Sequence, residues 1–165
     1  MSFDTFLEIK SPDVAGECTA TGFVGKMEIH SFSLGSSNPT TVGSGSQGLT
    51  GGKVSVSSFN CMKKSEKASA SLFSACCTGQ HYGSATVTMR KAGGTAGQQV
   101  FLTYEFTDVM IESVHWSGST GGDDSPTESL SIAFGKVKIT YFGQKPDGSV
   151  GKQSEASWDL TKVHT

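Results

Sequence analysis

The stretch TESLSIAFGKVKITYFGQ, residues 127–144, decides the fold. Leu130, Ile132 and Phe134 occupy even positions, whereas Val137, Ile139 and Tyr141 occupy odd ones. Apolar residues recurring with period two mark a strand with one buried face. A one-residue slip turns every side chain of a strand to the other face. The change of parity therefore implies a bulge or bend near Gly135–Lys136. GFVGKMEIHSFSLG, residues 22–35, does the same: Met27 and Ile29 lie on one parity, Phe32 and Leu34 on the other. A second bend is expected near His30–Ser31. Strands that bend to serve two sheets are typical of closed barrels and sandwich corners.

The alternation continues outward from these two stretches. Phe3, Thr5, Leu7 and Ile9 alternate with Asp4, Phe6, Glu8 and Lys10. KVSVSSFNCMK (53–63) and SATVTMRK (84–91) each read as a strand, QQVFLTYEFTDVMIESVHWS (98–117) as a pair, and the chain closes with ASWDLTKVHT. KPDGS (145–149) is a hairpin-type turn in which Asp147–Gly148 supplies positive φ, and RKAGG (90–94) is a second glycine turn. One segment reads as a helix, KASASLFSACCTG (67–79). Ser69 is its expected N-cap, Leu72, Ala75 and Cys76 share a face, and Gly79 sits where a left-handed cap belongs. GSSNPTTVGSGSQGLTGG (35–52) is longer than any hairpin turn needs. Long ordered loops are usually functional.

Composition agrees with a β-rich chain. The 165 residues suit a single domain, 1–165, with a real core. A hydrophobic content of 35% beside 21 glycines suits many short strands joined by glycine turns. The formal charge is −2, without a basic run, so neither nucleic acid nor an anionic membrane is an expected partner. No segment approaches the roughly 20 apolar residues of a membrane span, and no membrane insertion is expected. MSFDTFLEIK has no basic region followed by an apolar run, so the chain is expected to start at Met1, without a leader. It should fold in the cytoplasm with its four cysteines as thiols.

The candidates for chemistry resolve toward packing. Cys76 and Cys77 in SACCTGQHY (74–82) diverge by about 100° on a helix, a poor arrangement for two ligands of one tetrahedral metal. Cys76 lies on the stripe of Leu72 and reads as a small core residue; His81 and Tyr82 are assigned to the turn that follows. GSGSQG matches GxGxxG through Gly43, Gly45 and Gly48, but more glycine and then a strand follow it, with no helix. Lys53 is no phosphate-loop lysine, since Val54 stands where Ser or Thr is needed. No serine lies in GxSxG. His30, His81, His115 and His164 are scattered, and Asp123–Asp124 reads as a solvated loop pair. No catalytic, metal or cofactor site is expected, and the chain is not expected to be an enzyme.

FNCMKKSEKASASLFSACCTGQHY (59–82), TMRKAGG (88–94), the run from Phe106 to Gly151, and SWDLTKVHT (157–165) together resemble the Hcp family. These are the tube proteins of bacterial type VI secretion. Their order and spacing carry the resemblance nearly end to end. Small departures stand at Glu66, where the family often has aspartate, and at Ala70, where it has proline. The resemblance implies a closed antiparallel β-barrel with one flanking helix and an extended loop. It implies homohexameric rings that stack into a tube, are expelled without a signal peptide, and can carry effector proteins in the lumen. Sheath and spike proteins are the further partners implied.

Two sets of residues follow as expectations. Ser31, Ser33, Ser55 and Ser57 are expected to face the lumen, each opposite an inward apolar neighbour. The 38–52 loop, through Asn38, Pro39, Thr41, Gly45, Leu49 and Gly52, is expected to reach the next ring. The alternatives are a secreted effector acting in its own right and a monomeric β-sandwich that binds a ligand.

Overall fold

The computed structural model describes residues 3–42, 48–92, 97–122 and 125–162, and among these the alternating segments become twelve strands and one helix. In chain order they are β1 (Phe3–Lys10), β2 (Met27–Ile29), β3 (Ser31–Ser33), β4 (Ser36–Ser37), β5 (Thr40–Val42), β6 (Leu49–Gly51), β7 (Ser55–Val56) and β8 (Phe59–Lys64). Then come α1 (Ser69–Thr78), β9 (His81–Ala92), β10 (Gln98–Ser117), β11 (Thr127–Gln144) and β12 (Val150–Asp159).

The main sheet is antiparallel, in the order β2-β1-β9-β10-β11-β8-β3, with β12 added beside β11. Its two ends are halves of one kinked strand. β2 pairs with β1, and one residue later β3 pairs with β8. His30 lies at the kink, and its backbone N–H donates to Met62 at 2.7 Å. The parity change at 27–34 is thus the point where the strand leaves one end of the sheet for the other and nearly closes the barrel.

The parity change in β11 has a partner that the sequence reading did not name. Phe106 is buried on an even position of β10 and Val109 and Ile111 on odd ones. Asp108 between them has φ 57°, a left-handed value uncommon outside glycine. Phe106 pairs with Val137 and Val109 with Phe134, so Asp108 and Gly135 face each other across the bend. A Cβ on Gly135 would stand 3.3 Å from the Asp108 Cβ and 3.2 Å from Thr161. Both strands therefore turn over at one rung with their register preserved, so the feature is a bend and not a bulge. Beyond it, of the three odd-position apolar residues Val137 alone is buried; Ile139 and Tyr141 are exposed, contrary to the alternation.

Leu7, Ile9, Met27, Ile29, Phe59, Val87, Met89, Phe106, Val109, Leu130 and Ile132 form the core. Leu72 and Ala75 of α1 join it, the helix packing against β10. Gly79 takes φ 70° and its N–H bonds the Ala75 carbonyl, as a glycine cap should. Ser69 does not cap the helix as expected. Ala68 holds the N-cap position, and the Ser69 hydroxyl instead accepts from the Glu66 N–H at 2.9 Å. The turn at Asp147–Gly148 is as expected, with φ 87° at Gly148.

Several boundaries differ from the sequence reading. Residues 98–117 form one bent strand, not two. Residues 53–63 are broken between β7 and β8, which belong to different sheets. His81 and Tyr82 open β9, and Tyr82 is buried. The segment between β1 and β2 is held down by Arg90, whose guanidinium lies 4.8 Å from the Phe6 ring and 5.1 Å from Phe23. Those two rings stack at 4.3 Å.

Candidate functional site

Three surfaces stand out from the barrel, and the first and third follow from strand parity. The first is the outer face of β3, β8, β11 and β10. Because Phe59 and Cys61, like Leu130 and Ile132, point inward, their neighbours point out. Two rungs cross this face: Ser31, Met62, Ser129 and His115; then Ser33, Asn60, Ser131 and Ser113. Glu112, at the β10 bulge, accepts hydrogen bonds from Ser58 and Ser131. The rungs themselves carry no carboxylate, lysine or arginine.

The four predicted serines are all exposed, but the structure separates them. Ser31 and Ser33 lie on these rungs. Ser55 instead pairs with Ser37 of β4, and the Ser57 hydroxyl accepts from the Gly35 N–H at 2.9 Å, both at the root of the 35–52 segment. Asn60, Met62, Ser129 and Ser131 were not singled out from the sequence. The signal was available, since each alternates with a core residue.

The second surface is the arm at 35–52, whose described residues pair in two short ladders. β4 pairs with β7 at its root, and β5 with β6 further out. Asn38 and Pro39 turn the first ladder into the second: Gly52 N–H donates to the Asn38 side chain and to the Pro39 carbonyl, each at 2.8 Å. A Cβ on Gly52 would stand 2.9 Å from Pro39, so only glycine fits. Asn38, Pro39, Thr41, Leu49 and Gly52 are all exposed, Leu49 to 72%. Gly43 and Gly45 lie outside the described residues, as do the glycines of the 90–94 turn, Asp123–Asp124 and His164. From Ile29 to Gly52 the chain has no Asp, Glu, Lys or Arg.

The third is a groove of about 400 Å³ between the arm's root and the β11–β12 ladder. Leu34, Val54, Val56, Val137, Ile139 and Trp158 dominate its wall. It accounts for the exposure of Ile139: past the bend, that face of β11 looks into the groove.

The helix region holds a buried ionic cluster. Lys63 continues the inward parity of Phe59 and Cys61, and Glu128 that of Leu130, so the pair is carried into the barrel wall. Lys63 Nζ lies 3.3 Å from Glu128 and 3.8 Å from Glu66. Trp116 Nε1–H donates to Glu128 at 2.8 Å, and the indole stacks on Phe73 at 5.3 Å. Burial raises the Glu66 carboxyl above its usual value, with Lys63 pulling the other way. The cysteines next to it are dispersed. Cys61 is in the core, where burial pushes its thiol up to about 12. Cys76 is half-buried, its thiol 3.6 Å from the Glu112 carbonyl, and Cys77 is exposed. Among the described residues no group of three His, Cys, Asp or Glu is placed to hold a metal ion, and no helix is long and apolar enough to cross a membrane.

Comparison with known proteins gives one consistent result. The sequence profile of the family described as "Type VI secretion system effector, Hcp" matches residues 6–141. Protein hcp1 of Pseudomonas aeruginosa is 36% identical over 109 residues, an alignment that spans 66% of this chain and 66% of the relative's own length. A solved structure described as a type six secretion system protein superposes with TM-score 0.87 at 33% identity, covering 97% of both chains. Hcp1 from Salmonella typhimurium superposes with TM-score 0.77 at 28% identity, covering 98% of this chain and 97% of that one.

Proposed function

This chain belongs to the Hcp family of type VI secretion proteins, and from that premise we propose that it is a structural subunit of the secretion tube. Six copies close into a ring, rings stack, and the tube is assembled in the cytoplasm and then expelled. The whole chain acts as one domain. Its role is structural and not catalytic. Sheath and spike proteins are its partners outside the tube, and effector proteins are its cargo within.

The observation that carries this reading is the division of labour on the surface. The barrel nearly closes through β2 and β3 and leaves two features that its own core does not need: a serine-rich polar face and an uncharged arm. Ser31 and Ser33, with Asn60, Met62, Ser129 and Ser131, are assigned to the lumen wall. Hydroxyl and amide side chains there, with Met62 and His115 among them, give a hydrated surface flanked by Glu112, which Ser58 and Ser131 bind, and by Lys64 one rung on. Ser55 and Ser57 belong to the arm's root in this reading. Asn38, Pro39, Thr41, Leu49 and Gly52, with Gly45 outside the described residues, make up the stacking arm.

Native mass spectrometry with electron micrographs of the same sample tests the proposal. Six-membered rings with an open centre are the expected result. A stable monomer at high concentration overturns it. A second reading has support in the matched family's own description as an effector: the secreted ring itself acts on the target cell. Purified rings free of cargo that intoxicate recipient cells would favour it.

A further inference from the structure

We propose that the groove between the arm's root and β11–β12 is the acceptor for the arm of a second copy of this chain, with Leu49 as the side chain it takes. The proposal rests on the reading that the arm makes contacts between copies, and it adds the surface that receives it.

Among the described side chains of the arm, Leu49 is the exposed large apolar one, at 72% exposure, and it is not among the residues that line the groove of its own chain. The groove is the complementary feature. Its wall of Leu34, Val54, Val56, Val137, Ile139 and Trp158 is apolar, and none of its lining residues is charged. The arm has no charged residue before Lys53. Burying one against the other therefore strands no charge, which would be costly in a closed interface. Charges are the rule on the adjoining surface. There Glu105 of β10, Lys138 of β11 and Lys152 and Glu155 of β12 form a network of ion pairs. An uncharged arm fits the groove and not that face. Donor and acceptor are different surfaces of one chain, so each copy gives one contact and receives one. Such a heterologous contact propagates, which is what a closed ring or a stack requires.

The test uses full-length protein with the exposed Cys77 replaced by serine throughout. L49C and I139C are made separately, mixed, and oxidised mildly. The proposal expects a crosslinked dimer in the mixture and its loss when either variant is oxidised alone. In parallel, L49D and I139D are each examined for rings and for stacked rings, with melting curves to confirm folding. Both should lose stacks while keeping rings. If L49D abolishes stacking while I139D leaves it intact and no mixed crosslink forms, the arm stacks elsewhere and the groove proposal falls alone. If I139D breaks the ring itself and no mixed crosslink forms, the groove is a lateral interface and the proposal is again overturned. A mixed crosslink within unstacked rings would support the groove as acceptor while refuting stacking as the arm's role. Intact stacks in both variants without a crosslink would sink both ideas.

Discussion

The barrel body and the arm are both antiparallel β-ladders, yet they use strand structure for different ends. In the body, Phe59 and Cys61 of β8, Ala85, Val87 and Met89 of β9, and Leu130 and Ile132 of β11 enter a shared core, and Phe59, Val87, Leu130 and Ile132 are fully buried. In the arm, the described side chains from Ser36 to Thr41, and those of Leu49 and Lys53, are exposed. A two-stranded ribbon is marginal on its own in water. The buried faces thus lie in the body, while the arm presents exposed surface, which the proposed contact between copies would bury. The difference teaches that strand pairing alone is a weak guide to stability: the buried faces carry it.

The comparison predicts a graded set of effects. The largest should come from Glu128→Ala. It leaves Lys63 buried beside Glu66 alone and removes the acceptor of Trp116. Loss of one partner from a buried ion pair costs about 3–5 kcal/mol, to be read from urea denaturation. A cost below about 1 kcal/mol would mean that water reaches the Lys63 ammonium and that the body is less dry than its burial suggests. Next, Gly79→Ala forces a β-carbon into the left-handed cap at φ 70° and should cost about 1 kcal/mol in the same assay.

A smaller effect should appear at Glu66, and it has a sign. Burial holds its folded pKa above the usual 4.5. The folded protein therefore keeps this proton better than the unfolded chain does. Stability from the group is complete below pH 4.5 and is lost as pH rises through the folded value. Glu66→Gln should accordingly raise the denaturation midpoint at neutral pH and change little in acid. The opposite pH dependence would show that the Lys63 attraction outweighs burial. The smallest effect on stability is expected from the arm. Joining Pro39 directly to Gly52, without residues 40–51, should shift stability by less than about 0.5 kcal/mol while abolishing ring stacking. A large loss of stability would break the comparison, since the arm would then be part of the body's fold.

Much of this division was legible in the sequence. The parity changes at His30–Ser31 and Gly135–Lys136 marked both bends, and the strand at residues 127–144 was readable end to end. The same alternation could have placed Lys63 and Glu128 inside. They were passed over because charge normally argues for exposure, and only a partner on the facing strand reverses that. Ser69 was misread for a related reason. A serine before a helix caps it only if the backbone turns there, and here the turn lies one residue earlier, at Ala68. The arm was read as a loop because glycine and serine carry no alternation of hydrophobicity to reveal pairing.

The sequence by itself determined the β class, the single helix with its glycine cap, the two bends and the family, since each rests on local pattern or on motif order. Tertiary structure alone decided three things. β2 and β3 serve opposite ends of one sheet, Asp108 and Gly135 bend as a pair, and Ser55 and Ser57 part company with Ser31 and Ser33. The physical reason is common to all three. Alternation fixes which side of a strand is wet or dry, whereas pairing fixes which strands share that side, and pairing is made between residues far apart in the chain.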